Sequence, residues 1–237
     1  MKAKEFYDET WSAQQTIDED RKILRMRSDA IEYSYRQAEP LHGKKLLEIG
    51  CGAGFQTVEF AQRGAIVTAI DFSDAGVKKT KALIAQHALS ADVKRMDAES
   101  LEFPEASFDI IYINSVLMHA NKKKVLQECA RVLKKGGKLV VVEPLNLNPF
   151  LVPYRLFSPY RKTNPRYMSL NLFKKYSAFF TSMKHWEFYF FYVLALPFQN
   201  TKLFHFLKKI TDSVDNALLK IPFVRKLCWM SVVEYTK

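Results

Sequence analysis

The chain is poor in residues that could staple it together. Its 237 residues include three cysteines, Cys51, Cys129 and Cys228, with no paired spacing. That spacing gives neither a disulfide framework nor a zinc site, fits a reducing compartment, and leads us to expect no bound metal. Long apolar runs are missing as well: none reaches the ~20 residues that a membrane-crossing helix needs. The longest candidate, Phe188 to Phe198, is bounded by Glu187 and broken by Pro197, and reads as a buried strand. The opening Met1-Lys2-Ala3-Lys4-Glu5 is charged and lacks the apolar core of a signal peptide, so a cytoplasmic location is expected. We see no internal repeat and no low-complexity linker. Acidic residues are scarce in one place. Positions 150–237 hold 4 Asp/Glu against 14 Lys/Arg, whereas positions 1–149 hold 21 against 22. Nearly all of the formal +11 therefore sits in the last third, which also carries 21 of the 32 aromatics. Two regions with different tasks are implied.

Glycine is scarce too, yet three of only eight glycines fall together in Leu46-Leu47-Glu48-Ile49-Gly50-Cys51-Gly52-Ala53-Gly54. An apolar strand ends there in an acidic residue and a run of alternating glycines. Glycine tolerates positive φ and lets the backbone pass close to a ligand. The helix expected from Phe55 would aim its N–H groups at an anionic part of that ligand. The spacing departs from the dinucleotide fingerprint G-x-G-x-x-G. Glu48, two residues before Gly50, poorly suits a pyrophosphate but suits a ligand carrying an ammonium group. A second apolar run, Ala65 to Phe72, puts Asp71 at the end of a second parallel strand, where a carboxylate can accept from ribose hydroxyls. Phe72 beside it can lie on an adenine ring or simply pack in the core. Further strand ends follow at Val93–Ala98, Phe108–Ser115 and Lys138–Pro144. A helix is expected over about 121–135, stopping at Gly136-Gly137 with Lys134 and Lys135 in its last turn. This alternation predicts an α/β fold with a doubly wound, mostly parallel sheet.

Glu48 to Gly54, Asp71-Phe72, Asp97-Ala98, Phe103-Pro104 before Ser107-Phe108-Asp109, and Val132-Leu133-Lys134-Lys135-Gly136-Gly137 follow one another in a familiar order. From about Leu41 to Pro144 the chain resembles the class I S-adenosylmethionine-dependent methyltransferases. The resemblance implies a seven-stranded Rossmann-like sheet closed by an antiparallel C-terminal hairpin, and S-adenosyl-L-methionine as cofactor. It implies that Gly50, Cys51, Gly52 and Gly54 approach the methionine part, with Glu48 supporting that turn. Asp71 would hold the ribose, Phe72 would lie against the adenine, and Asp97 with Ala98 would meet the adenine edge. Asn114 and Ser115 would line the floor near the sulfonium. For Asp97 a strand-end cap is the alternative.

Three regions are read around this core: a helical lead-in over 1–40, the cofactor-binding core over 41–144, and an aromatic, basic covering segment with the last two strands over 145–237. Trp186–Leu196 and Cys228–Tyr235 read as those strands, joined through a helix at about 202–219, and a short helix is expected near 170–177. Pro149 to Arg161 follows the fifth strand, where an insertion would cover an acceptor pocket. In the lead-in, Tyr7 and Trp11 would form a lid or dock a helix.

Methyl transfer by in-line displacement chiefly needs the acceptor held close and aligned. A base is required only when the acceptor must lose a proton. His119, five residues past Asn114, is the best-placed catalytic candidate, with ordering of its loop or contact with the cofactor as the alternative. The segment Ile113-Asn114-Ser115-Val116-Leu117 lacks the Asn-Pro-Pro-Tyr pattern of base-amine methylation, which argues against nucleobases. The acceptor expected is a small hydrophobic or anionic, lipid-like molecule methylated on oxygen or nitrogen, with peripheral contact to an anionic membrane. Nucleic acid is the less favoured partner. The alternatives are an RNA or protein methyltransferase docking through the basic face, and an inactive cofactor-binding scaffold. Residue types set neither the methylated atom nor the oligomeric state.

Overall fold

The computed structural model describes residues 26–157 and 165–237. Tyr7 and Trp11, with most of the 1–40 lead-in, lie outside the described residues. The elements run α1 Ser28–Ala38, β1 Lys45–Ile49, α2 Phe55–Gln62, β2 Ile66–Asp71, α3 Asp74–Gln86, β3 Asp92–Arg95, β4 Phe108–Asn114, α4 Lys122–Val132 and β5 Leu133–Pro144. Then come α5 Leu151–Phe157, α6 Leu170–Tyr176, β6 Ser182–Phe188, α7 Leu203–Leu218, α8 Pro222–Arg225 and β7 Met230–Thr236. One seven-stranded sheet results, in the order β3-β2-β1-β4-β5-β7-β6. β7 runs antiparallel to both of its neighbours, and the five strands from β3 to β5 pair in parallel. This is the doubly wound sheet that the alternation predicted, with the antiparallel C-terminal end that the family resemblance implied.

Near-continuous apolar strands form the sheet because both faces are covered. Leu47, Ile49, Ile111, Ile113, Leu139 and Val141 pack on one face beneath Val125, Leu126, Cys129 and Val132 of α4. On the other face Leu46, Tyr112, Val140 and Val142 meet Ala30, Ile31 and Tyr35 of α1 and Phe60 of α2. Pairing of Ile49 with Ile70 and with Ile113 brings the carboxyl ends of β1, β2 and β4 level. Ligands of open α/β sheets bind over such ends where strand order reverses, here between β1 and β4.

Two readings of local structure need correction. The helix expected to 135 ends at Val132, and Lys134 and Lys135 belong to β5. Leu133 already has extended backbone and pairs with Phe108, while Lys134 Nζ reaches Asp109 Oδ1 at 2.8 Å. The aromatic run Phe188–Phe198 is not a strand. β6 lies earlier, over Ser182–Phe188, and the chain leaves the sheet at Tyr189, whose φ is +68°. Beyond it, one carboxylate captures three successive backbone donors: Asp215 of α7 accepts from the N–H groups of Phe190, Phe191 and Tyr192 at 3.0, 2.7 and 3.3 Å. The backbone curls into 3-10 turns at Tyr192–Leu194 and Leu196–Phe198. Aromatic strand propensity is outbid by this buried tertiary cap.

Candidate functional site

The β1 turn is built from backbone, and its glycines are needed for two separate reasons. Gly50, Gly52 and Gly54 all have positive φ, at +81°, +50° and +87°. A Cβ on Gly50 would run into Val116 Cγ2, and one on Gly54 would stand 2.9 Å from the Thr80 backbone. The neighbouring strand holds the turn, with Gly50 N and Cys51 N both donating to the Ile70 carbonyl at 2.8 and 3.1 Å. Asp71, buried at the end of β2, ties the two βα turns together. Its Oδ2 accepts from Gly52 N and its Oδ1 from Ser73 N, each at 2.9 Å.

These turns form one wall of a cavity of about 1070 Å³. Gly50, Cys51, Gly52, Gly54, Asp71, Phe72, Asp97, Ala98, Asn114, Ser115 and His119 all line it. Phe72 is half-buried at the wall, not deep in the core. Asp97 Oδ1 accepts from Glu99 N at 2.9 Å, so it shapes its own turn as well as facing the cavity. Glu48 alone of the named residues does not line the cavity. Alternation along β1 turns it to the opposite face, where Oε2 accepts from Thr57 Oγ1 at 2.5 Å and the side chain is 1% exposed. Burial pushes its carboxyl up to about 7, against the Thr57 hydrogen bond and with help from the Asp71 charge. Glu48 stands behind the turn.

The segment after β4 supplies the floor. Ser115 sits at φ +60° and donates from its backbone N to Val142 at 2.9 Å. Val116 tucks against Gly50, and Leu117 N donates to Glu143 Oε1 at 2.6 Å. Glu143 is fully buried at the end of β5, and burial raises its carboxyl to about 7 despite the Leu117 bond. Its Oε2 has no hydrogen-bond partner among the described residues. His119 closes this segment, its backbone N donating to Val116 at 2.9 Å. Burial, then the Lys122 charge, lowers its imidazole to about 4, so the ring is neutral near pH 7 and a weak base. Burial likewise raises the Cys51 thiol well above its ordinary range, which removes it as a nucleophile.

The opposite wall comes from the covering segment, and much of it was not singled out from residue types. Arg27, buried beside α1, donates from Nη1 to Ser115 Oγ at 2.8 Å across 88 residues of chain. No motif marks it in the sequence. Phe150, Leu151, Tyr154 and Arg155 of the anticipated insertion do line the cavity, joined by Tyr167, Leu196 and Trp229. The Arg155 guanidinium lies 4.0 Å from the Tyr167 ring centroid and donates from Nη2 to the Leu145 carbonyl at 2.8 Å. Among the described residues no group of His, Cys, Asp and Glu forms a metal site.

Comparison with known proteins bears on this geometry. Residues 47–141 match a family model described as a methyltransferase domain. A ubiquinone biosynthesis O-methyltransferase of Stutzerimonas stutzeri is 36% identical over 112 residues, 46% of this chain and 47% of that protein. The one from Dechloromonas aromatica is 36% identical over 115 residues, covering 48% and 49%. The chain thus spans about half the length of the curated relatives it matches. Among solved structures, the YcgJ protein of Bacillus subtilis superposes with TM-score 0.64 at 21% identity, over 89% of this chain and 98% of that one. A geranyl diphosphate methyltransferase in complex with GPP and sinefungin gives 0.65 at 15% identity, over 90% and 79%. At such identities these two structures speak to the fold.

Proposed function

We propose that this chain, whose residues 47–141 match a methyltransferase-domain model, is a class I S-adenosylmethionine-dependent methyltransferase that moves a methyl group onto oxygen or nitrogen of a small hydrophobic or anionic acceptor. One observation carries this reading. The glycine turn and Asp71 share a single cavity with an aromatic wall, and its volume of about 1070 Å³ lies at the upper end of the range for ligand pockets. Ligand pockets for one drug-sized molecule run to roughly 300–1,000 Å³.

The residues present fit S-adenosyl-L-methionine. The backbone of Gly50 to Gly54 comes close to the cavity without side chains, which suits the methionine end, and Arg27 beside Ser115 provides a cation for its carboxylate. Asp71 presents a carboxylate suited to the ribose diol, between that turn and Phe72. Phe72, Asp97 and Ala98 frame a slot for the adenine. When bound, this cofactor supplies an electrophilic methyl on a positively charged sulfur. The chain's own contribution is alignment and exclusion of water: Ser115 and Asn114 form the floor, and Phe150, Tyr167 and Trp229 enclose the acceptor. His119 lines the cavity with a neutral ring and is the group assigned to take the proton of a hydroxyl acceptor, although burial and the Lys122 charge make it a weak base. Arg155 attracts an anionic or carbonyl group on the acceptor. The relatives named for ubiquinone biosynthesis support oxygen as the receiving atom. Among the described residues no helix is long and apolar enough to cross a membrane. The basic, aromatic last third of the chain is what leads us to read the working place as cytoplasmic and peripheral to an anionic membrane.

Calorimetry with S-adenosylhomocysteine tests the core of this. Asp71→Ala removes a charged hydrogen-bond acceptor, so affinity should fall by about 1.5–3 kcal/mol, on the order of ten- to a hundredfold. Undiminished affinity in a folded variant, or no affinity in the parent chain, sinks the assignment.

A further inference from the structure

We propose that α7 and the turns beside it form a docking face for an anionic lipid surface, with the cavity mouth opening beside it. The apolar surface of the molecule is distributed unevenly. Of the large apolar side chains left exposed among the described residues, all but Ile66 lie between Leu147 and Phe223. On α7 they recur at Leu203, Phe206, Ile210 and Val214, a spacing of three and four that makes one stripe. Phe206 is 62% exposed, and past the helix Phe223 is 66% exposed. This stripe is not the face by which the helix packs. Phe204 and Asp215 face inward, the first against Tyr192 and the second on the 190–192 backbone.

Charge identifies the occupant. At 100° per residue, Lys209 lies on the flank of the stripe facing away from the protein, while Lys202 and Lys220 stand just before and just after the helix, and all three are exposed. The acids of this helix are turned elsewhere. Asp215 is buried under the backbone, and Asp212 pairs with Lys208 at 2.6 Å. An apolar stripe beside exposed lysines that make no ion pair among the described residues matches an acyl layer beside anionic headgroups, which an amphipathic helix meets lying in the interface plane. A protein partner would need an acidic rim to match; a bilayer supplies that charge everywhere.

The same elements border the cavity. Val193, Leu196 and Pro197 line it while Leu194 and Phe198, next in sequence, stand exposed. In α5, Leu151 and Arg155 line it while Val152 and Leu156 face out. An apolar acceptor could therefore pass from the lipid layer into the pocket without crossing water. That last link rests on the methyl-transfer reading; the membrane contact itself does not.

Flotation of the full chain with vesicles tests the contact, using phosphatidylcholine alone and phosphatidylcholine mixed with phosphatidylglycerol. The chain should float with the anionic vesicles only, less so as sodium chloride is raised. Replacing Lys202, Lys209 and Lys220 by Glu should cost at least roughly fivefold in partitioning per lysine. Phe206→Glu with Ile210→Glu should cost about tenfold or more by removing buried apolar area. Absence of flotation at low salt overturns the proposal. So does a dimer that light scattering shows dissolving in the Phe206/Ile210 variant without any lipid effect, which would assign the stripe to a second copy. Salt-steep RNA binding that survives the Phe206/Ile210 change, with no flotation, would assign the lysines to RNA. S-adenosylhomocysteine affinity, read on the same samples, reports separately on the methyl-transfer reading.

Discussion

The strand-end region and the covering region hold their shapes by different means. At the strand ends, backbone does most of the holding: Gly50 and Cys51 bond to Ile70, and Asp71 takes N–H groups from two turns. The covering region is held by a few buried side chains that clamp irregular backbone. Asn148 accepts from Phe150 and Leu151 and donates to the Phe190 carbonyl at 3.2 Å, and Asp215 collects three donors. The first arrangement tolerates little change in its own residues. The second can vary its outward face freely, which is where an acceptor-specific and surface-specific part of the molecule belongs. If this contrast is right, changes in one region should leave the other's readout alone.

The largest effect should come from Gly50→Ala. Positive φ costs an L-residue about 1–2 kcal/mol, and the new methyl displaces Val116 and with it the Ser115 floor. Affinity for S-adenosylhomocysteine should fall about a hundredfold or more, the strain plus lost contacts amounting to some 3 kcal/mol. Calorimetry with circular dichroism as the folding control measures it. Near-normal affinity would mean that the turn yields, and that the comparison is drawn in the wrong place.

Next is Asp215→Ala, aimed at the covering region. It strands three backbone N–H groups, two of them in buried residues, at a cost of about 3 kcal/mol of stability. Urea unfolding should show that loss while donor affinity in the folded variant stays within about twofold, since neither Asp215 nor any other α7 residue lines the cavity. A collapse of donor affinity would show the clamp to be part of the cofactor site.

The same contrast decides what was legible in the residues. Strand ends, glycine turn and Asp71 were readable because each depends on neighbours a few positions away and on apolar periodicity. Phe188–Phe198 was misread because its fate is set from outside: Tyr189 at positive φ, its hydroxyl accepting from Ala30 N at 2.9 Å, and Asp215 some 25 residues on. Arg27 meets Ser115 only after the chain has folded, so nothing local announces it. Lys134 and Lys135 satisfied helix-end chemistry, yet extended backbone at Leu133 and pairing with Phe108 had already begun β5. Glu48 was legible as part of the turn, but its burial behind the turn needs the sheet's alternation and Thr57 together.

A smaller effect is tied to pH. Glu48 has a folded value of about 7 against an unfolded 4.5, so the folded state binds the extra proton between these values. Its contribution to stability is full below about 4.5 and is lost as pH rises through 7. His119 works in the opposite sense: a folded value near 4 against 6.5 means that stability is lost as pH falls through this window. Glu48→Gln should remove the first loss and leave the second. Relative to the parent, it should gain about 2 kcal/mol in unfolding free energy between pH 5 and pH 8. A parallel pair of pH curves would show that Glu48 is ionised in the folded protein throughout.

The smallest expected change is the one that most sharpens the contrast. Phe206→Ser removes a ring that is mostly in water, so stability should move by no more than about 0.5 kcal/mol. Donor affinity should stay within twofold, because nothing in the α7 stripe reaches the glycine turn or Asp71. Exposed apolar side chains contribute little to a fold that does not bury them, and a contiguous stripe of them marks a surface that meets a partner. Thermal melts and calorimetry in lipid-free buffer check both numbers. A destabilisation of several kcal/mol would mean that the ring is buried in solution, against another part of the chain or a second copy, and the outward face of the covering region would have to be redrawn.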